Sequence, residues 1–320
     1  MKIKQIMQNE ARIFESIADI SCRSRKESFC LSFFIEKELK ALKSTASKFL
    51  IDSYLMDVRS LNLKDPKTFE SELTGADLCE FLTLTNRTPN GALMSRVEVD
   101  DIFSLAQREV IEIIDKIGLM EYISEIHLPI SFRLTSPSVD SKVMVRPYSA
   151  SKKHTEIWCG HPNHAVISIP IFGDFSSTGV SFFLPSEFKP CFFTTYNSYD
   201  EAIDTIGEVE SLPFGLLSSE MILYHAVVVH NTFRKNVQPS FPRLTADLGI
   251  RLTDSRLDEL VLPEDRKENY FNVDTARKIG KEIYFESEFS FFEKITFSDH
   301  NKRKYAAKYK LKNRSADTVK

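Results

Sequence analysis

Three short stretches of the chain place chemically versatile side chains at spacings that secondary structure can use. The first is His154-Thr155-Glu156. On a strand, residues two apart point to the same face, so this imidazole and carboxylate could take adjacent coordination positions of one metal ion. The second is the run Met221 to His230, of strand composition, which carries His225 and His230. Read as one strand, it turns these two histidines to opposite sides, so at most one of them can join the metal. The alternative for His225 is a buried, hydrogen-bonded core histidine. The third is Arg243-Leu244-Thr245-Ala246-Asp247. On a strand, Arg243, Thr245 and Asp247 share a face. A guanidinium can hold a ligand carboxylate bidentately, and a hydroxyl two residues on can add a hydrogen bond. Two histidines and a carboxylate around one ion suit non-haem Fe(II), with positions left for substrate and O2. A His-x-acid triplet alone decides little, because chance gives about one in this composition and the chain has one. The signal must come from what surrounds it.

Four further residues are weighed beside these. His161 and His164 flank Pro162-Asn163 in an expected turn and read as surface or pocket-rim groups. Trp158, the sole Trp, shares a face with His154 and Glu156 if the strand continues. It is a candidate for the substrate pocket, with a core role the equal alternative. Arg146 is the other pocket candidate.

Elements that could position these groups can be read from patterning. Residues 1–125 read mainly as helix, a helical N-terminal region packing on the core. Phe33 to Leu42 mixes apolar and charged residues at helical spacing, and Val99 to Tyr122 repeats Ile102, Leu105, Val110, Ile113, Ile114 and Ile117 at three- and four-residue steps. Asp100 or Asp101 is the expected cap of that second helix. Residues 126–252 carry short Val/Ile/Phe/Thr runs punctuated by Pro, Ser, Asn and Asp, which predicts a mainly β core, an antiparallel sandwich or barrel. Asn197 and the acidic stretch Asp200 to Glu210 read as a loop over its mouth. Residues 253–320 form a charged C-terminal extension. Its last twenty hold eight basic residues and one acidic, which leaves 34 basic and 44 acidic in the rest, a net −10. That basic tail reads as a solvated or frayed terminus.

Composition removes several function classes. The chain has 320 residues and a net charge of −3, without the basic excess of a nucleic-acid binder. It has 25 Phe but only 10 Gly, which points to a thick aromatic interior and away from a glycine-rich phosphate loop. Five cysteines with no CxxC pair fit reduced thiols in a cytoplasmic protein. No run of 18 apolar residues predicts a membrane span.

The ordered set His154-x-Glu156, Ile169-Pro170 to Phe182-x-x-Pro185-Ser186, His230, and Arg243-x-Thr245-x-Asp247 with Arg251 resembles the Fe(II)- and 2-oxoglutarate-dependent dioxygenases. The phytanoyl-CoA-dioxygenase-like branch is the nearest, and within it the pattern is similar to the StrG-like oxygenases found with sugar biosynthesis genes. The resemblance covers residues 126–252. It implies a double-stranded β-helix (jelly roll, cupin-like) core, with His154, Glu156 and His230 as both catalytic and Fe(II)-binding residues. It also implies that Arg243 holds the distal carboxylate of 2-oxoglutarate with Thr245 as its partner. Two features depart from the family pattern. The acid is Glu156 where Asp is usual, and the turn reads Leu184-Pro185-Ser186-Glu187 where Gly-Ser-His is common. The implied partners are O2 and a small polar metabolite, a sugar or natural-product intermediate, with neither nucleic acid nor membrane. Two other functions stay open at this point: a cupin-like sugar isomerase or epimerase, which would not need Arg243, and a metal-free jelly-roll binding module.

Overall fold

The computed structural model describes residues 2–54, 88, 90–135, 146–235, 243–261, 269–289 and 309–313. Its centre is a large antiparallel sheet. Strands β1 (Arg23–Glu27), β2 (Cys30–Phe34), β3 (Ile123–His127), β4 (Ser131–Thr135), β5 (Ala165–Gly173), β8 (Glu220–His225), β10 (Arg243–Leu252) and β11 (Tyr270–Asn272) belong to it. They lie in the order β1-β2-β8-β5-β10-β3-β11, with β4 also paired to β10. A smaller antiparallel sheet joins β7 (Val209–Leu212), β6 (Thr178–Pro185) and β9 (Val229–Arg234) in that order. The expected mainly antiparallel β core with helices is what the chain forms.

The continuous apolar runs of β5 and β8 are explained by burial on both faces, since every residue from Ala165 to Phe172 and from Glu220 to His225 is buried. Helix α2 (Leu39–Tyr54) packs on β5 and on helix α3 (Asp100–Lys116). On the other face Tyr224 of β8 meets Phe182 of β6, with ring centroids 5.1 Å apart. The site lies on this second face, between the two sheets. Pro170 sits in β5 where its register against β10 slips, between the pairs Leu244↔Phe172 and Thr245↔Pro170. A residue without an N–H is tolerated in an inner strand at such an irregularity.

Several expectations are corrected. Phe33 to Leu42 is not helical throughout: β2 runs to Phe34, and α2 begins only at Leu39. The large sheet therefore draws β1 and β2 from the region read as helical, and β11 from beyond residue 252. Met221 to His230 is not one strand. A turn at Ala226-Val227 breaks it, sending β8 into the large sheet and β9 into the small one. The segment after Asn197 is a helix, α4 (Tyr199–Ile206), capped by the Ser198 hydroxyl, which accepts from the Glu201 N–H. Of the basic tail, Tyr309–Asn313 is not frayed. It forms β13, paired to β12 (Ile283–Ser287), and the Tyr309 ring stacks 5.6 Å from Phe103. The rest of the tail lies outside the described residues. Among the described residues, no helix is long and apolar enough to cross a membrane.

The cap assignment of α3 is also corrected. Val99 is its N-cap and makes no side-chain cap bond. Asp100 turns inward instead, where its carboxylate accepts from the Ser95 hydroxyl at 2.8 Å and the Ser287 N–H at 2.6 Å. It thereby ties α3 to β12. Burial outweighs these hydrogen bonds and pushes its pKa up to about 6. An acid whose pKa is higher in the folded than in the unfolded chain binds its proton more tightly when folded. Its contribution is therefore largest below about pH 4 and is lost as pH rises through about 6. Urea unfolding on either side of that window is expected to show a loss on the order of 2 kcal/mol. That loss should be absent in Asp100→Asn; an identical loss in the variant would assign it to other groups.

Candidate metal centre

The ligand atoms of His154, Glu156 and His230 all lie within 4.8 Å of one another. The backbone accounts for this convergence. His154 and His230 form an isolated antiparallel bridge, with N–H···O distances of 2.9 and 2.8 Å, which extends the small sheet by one residue pair. Their rings lie 4.2 Å apart. Two residues on, the chain has already left the extended conformation: Glu156 is helical (φ −64°, ψ −27°) and opens a 3-10 turn over Ile157–Cys159. His154 and Glu156 are therefore neighbours across the end of a bridge, not on one face of a regular strand. The Glu156 carboxylate still reaches to 3.9 Å from His230 Nε2.

Both histidines are oriented in the same way. His154 Nδ1 lies 2.8 Å from the Lys152 carbonyl, and His230 Nδ1 lies 3.2 Å from the Val228 carbonyl. A carbonyl only accepts, so each Nδ1 carries the proton and each Nε2 presents a lone pair. Such a second hydrogen bond, fixing tautomer and ring angle, is characteristic of metal-ligating histidine. The His154 ring is stacked 4.4 Å from Tyr199, the first residue of α4, at an interplanar angle of 16°. The His230 ring lies 4.9 Å from Tyr224. Burial pushes the His230 pKa down, against the pull of Glu156, and this favours the neutral imidazole a metal requires. Burial alone would raise the Glu156 pKa, but His161, His230, His154 and Arg133 outweigh it and hold it at about 2. Two neutral imidazoles and a carboxylate fit a divalent iron.

Arg243 is the second element. It is 2 % exposed, and neither its Nε nor one of its Nη atoms has a hydrogen-bond partner among the described residues. Burial brings its pKa down to about 10, so it remains charged at neutral pH. A buried cation with unmet donors is costly unless a ligand completes it. Asp247, on the same face, does not fill that role. It carries Arg133 of β4, whose Nε is 3.0 Å away, and accepts from Ser168 Oγ at 2.5 Å and Thr245 Oγ1 at 3.2 Å. The Thr245 hydroxyl is thus spent on Asp247 and would have to rotate to donate to a ligand carboxylate. The charges of Arg133 and Asp247 act on both His230 and Arg243.

The remaining candidates fall elsewhere. His225 is wholly buried, its Nε2 3.1 Å from Glu10 of helix α1 (Lys2–Ile17), and its Nδ1 accepts the Val227 N–H. It is the core histidine of the two readings. Because the 3-10 turn ends the extended segment, Trp158 points into the core. It is 0 % exposed, and its indole N–H donates to the Phe192 carbonyl at 3.1 Å. Arg146 reaches Asn90 at 3.2 Å. His164 is buried, not on the surface, and lies 3.1 Å from Asp258. His161 is half exposed, 3.7 Å from Glu156. Two groups were missed by sequence reasoning: Tyr199, hidden in an acidic stretch, and Arg133, whose signal was its alternation with Phe132 and Leu134 along β4.

No family model matches the sequence, and no curated protein matches it. Among solved structures, the chain is similar to the non-heme alpha ketoglutarate dependent epimerase SnoN from nogalamycin biosynthesis. Identity is 11%, 75% of this chain and 83% of that one are covered, and the TM-score is 0.36. EctD from S. alaskensis with 2-oxoglutarate and 5-hydroxyectoine is similar at 13% identity, covering 76% and 77%, with a TM-score of 0.35. The non-heme monooxygenase ThoJ, as its Ni complex, is similar at 12% identity, covering 84% and 92%, with a TM-score of 0.31. What the site can do is taken from its own side chains.

Proposed function

We propose that this chain is a non-haem Fe(II)/2-oxoglutarate-dependent oxygenase built on a double-stranded β-helix, acting on a small polar metabolite such as a sugar or natural-product intermediate. The observation that carries the proposal is the convergence of three metal-ligand atoms, with each histidine held in the tautomer a metal needs, together with a buried guanidinium two of whose nitrogens have no hydrogen-bond partner among the described residues. His154, Glu156 and His230 would hold the iron. When bound, Fe(II) supplies the activation of O2 coupled to decarboxylation of 2-oxoglutarate to succinate and CO2, with hydroxylation or a related C–H oxidation of the substrate.

The protein's own residues do the rest. Arg243 takes the distal carboxylate of the cosubstrate and fixes its orientation. Tyr199 and Tyr224 hold the imidazole rings in place and, with Phe182, keep water from the histidines. The ion pair Arg133–Asp247 supplies fixed charges that act on both His230 and Arg243. Arg146, held on Asn90 beside the Pro147 carbonyl that accepts the Tyr199 N–H, is the candidate for the substrate-side rim. The two unmet donors of buried Arg243 favour this function over a cupin-like isomerase, for which that cation would be a cost without a use. It likewise disfavours a metal-free binding module.

The test is anaerobic addition of Fe(II) and 2-oxoglutarate to the purified chain. The expected result is a weak visible metal-to-ligand band that needs both additions. Absence of the band, with iron shown not to bind, would refute the proposal.

A further inference from the structure

The 3-10 turn that carries Glu156 gathers a second set of metal-ligand atoms, which the chemistry above does not use. Gly160 ends the turn in the left-handed region (φ 70°), a conformation that favours glycine. The chain then doubles back, and the His161 N–H donates to the Glu156 carbonyl at 3.1 Å. Cys159 Sγ donates to the same carbonyl at 3.4 Å. As a result, the side-chain ligand atoms of Glu156, Cys159 and His161 lie within 4.8 Å of one another. The carboxylate faces both ways: Oε1 is 3.9 Å from His230 Nε2, and Oε2 is 3.7 Å from His161 Nε2. The second set is also accessible. The His161 side chain is 44% exposed and Cys159 is half-buried, so an ion can arrive from solvent without unfolding.

We propose that Glu156, Cys159 and His161 form a second metal site, selective for a thiophilic divalent ion such as Zn2+, that shares the Glu156 carboxylate with the His154/His230 centre. Carboxylate, imidazole and thiolate around one ion, with a fourth position for water, is a zinc-type donor set. The thiolate distinguishes it from the nitrogen and oxygen set next to it, because soft sulfur selects zinc over hard cations. Binding replaces the S–H bond with a metal–sulfur bond and releases that proton to solvent. Sharing has a consequence: an ion on the second set withdraws carboxylate charge from the first and adds its own positive charge beside it, so zinc weakens the iron. Only this coupling rests on the metal function of His154 and His230; the second set stands without it.

The experiment is an anaerobic Co2+ titration of the full chain. It reads the thiolate-to-cobalt charge-transfer absorption together with bound metal per chain. The wild type is expected to bind two ions, with the thiolate band accompanying one of them. Cys159→Ser should retain one ion and lose the band. His161→Ala should weaken the band-forming ion by about tenfold or more. His154→Ala should keep the band while losing the other ion. A saturated wild type without a thiolate band overturns the second site, and so does a band that survives Cys159→Ser. A band-forming ion as the sole ion, unaffected by His154→Ala, would sustain the second site and refute the first centre.

Discussion

His230→Ala is expected to lower Fe(II) affinity by more than about 100-fold, since loss even of a residue supporting a ligand costs about 10- to 100-fold. His225→Ala, only five residues away, should leave iron binding intact. The difference arises from the turn at Ala226-Val227. His225 ends β8 on the large sheet and is fully buried against Glu10, whereas His230 stands on β9 and bridges to His154. Glu10 is itself 0 % exposed and also accepts from Ser255 Oγ and the Arg256 N–H. Burial raises its pKa, but His225, the Arg256 N–H and the Ser255 hydroxyl together outweigh this and hold it below the ordinary value. Removing His225 takes one of several hydrogen-bond partners from a buried carboxylate, a loss of about 1–3 kcal/mol. The variant pair therefore separates metal binding from stability. If His225→Ala fails to fold, His225→Gln keeps a donor toward Glu10 and permits the same metal measurement. Equilibrium dialysis of Fe(II) and thermal melts report the two effects. Iron loss in the His225 variants with retention in His230→Ala would reverse the assignment.

Arg243→Ala should weaken 2-oxoglutarate by about 2–5 kcal/mol, the range for breaking a desolvated charge pair, while iron binding changes little. Arg243 lies on β10 of the large sheet, whereas the two histidines lie on the small sheet and its extension and Glu156 at the 3-10 turn, so the two functions can be separated. The apo form is expected to gain or hold stability in this variant, because an unmet buried cation disappears. That sign is the distinctive part: a structural arginine would destabilise on removal. Calorimetric titration of the Fe(II) form with 2-oxoglutarate checks affinity, and urea unfolding of the apo form checks stability. Unchanged cosubstrate affinity would remove Arg243 from the site.

Residue types and spacing pointed to His154, Glu156, His230 and Arg243, and the fold brings the first three together. The route to that convergence was not legible. Parity along one strand distinguished His225 from His230, yet the two are separated by a turn between sheets, whose apolar residues (Ala226, Val227, Val228) carry no Gly or Pro signal. Glu156 reaches the histidines from a helical turn, although a strand face was the argument for it. Trp158 takes the core role that is the equal alternative to the pocket in its sequence reading. The β1–β2 hairpin was obscured because β1 is a charged edge, Arg23 to Glu27, with no apolar alternation, while β2 runs on into charged residues at helical spacing. Strands held in place by distant pairing partners, as β2 is by β8 from Cys30↔Tyr224 to Phe34↔Glu220, leave little local trace. Arg133 acquires its meaning only from Asp247 across the β4–β10 ladder.

The most direct test of the central claim is a crystal structure of the chain with Mn(II) in place of iron and with 2-oxoglutarate. The account predicts the metal on the Nε2 atoms of His154 and His230 and on the Glu156 carboxylate, with the distal carboxylate of 2-oxoglutarate on the Arg243 guanidinium. A metal bound without His230, or a cosubstrate carboxylate that leaves Arg243 unpaired, would contradict it.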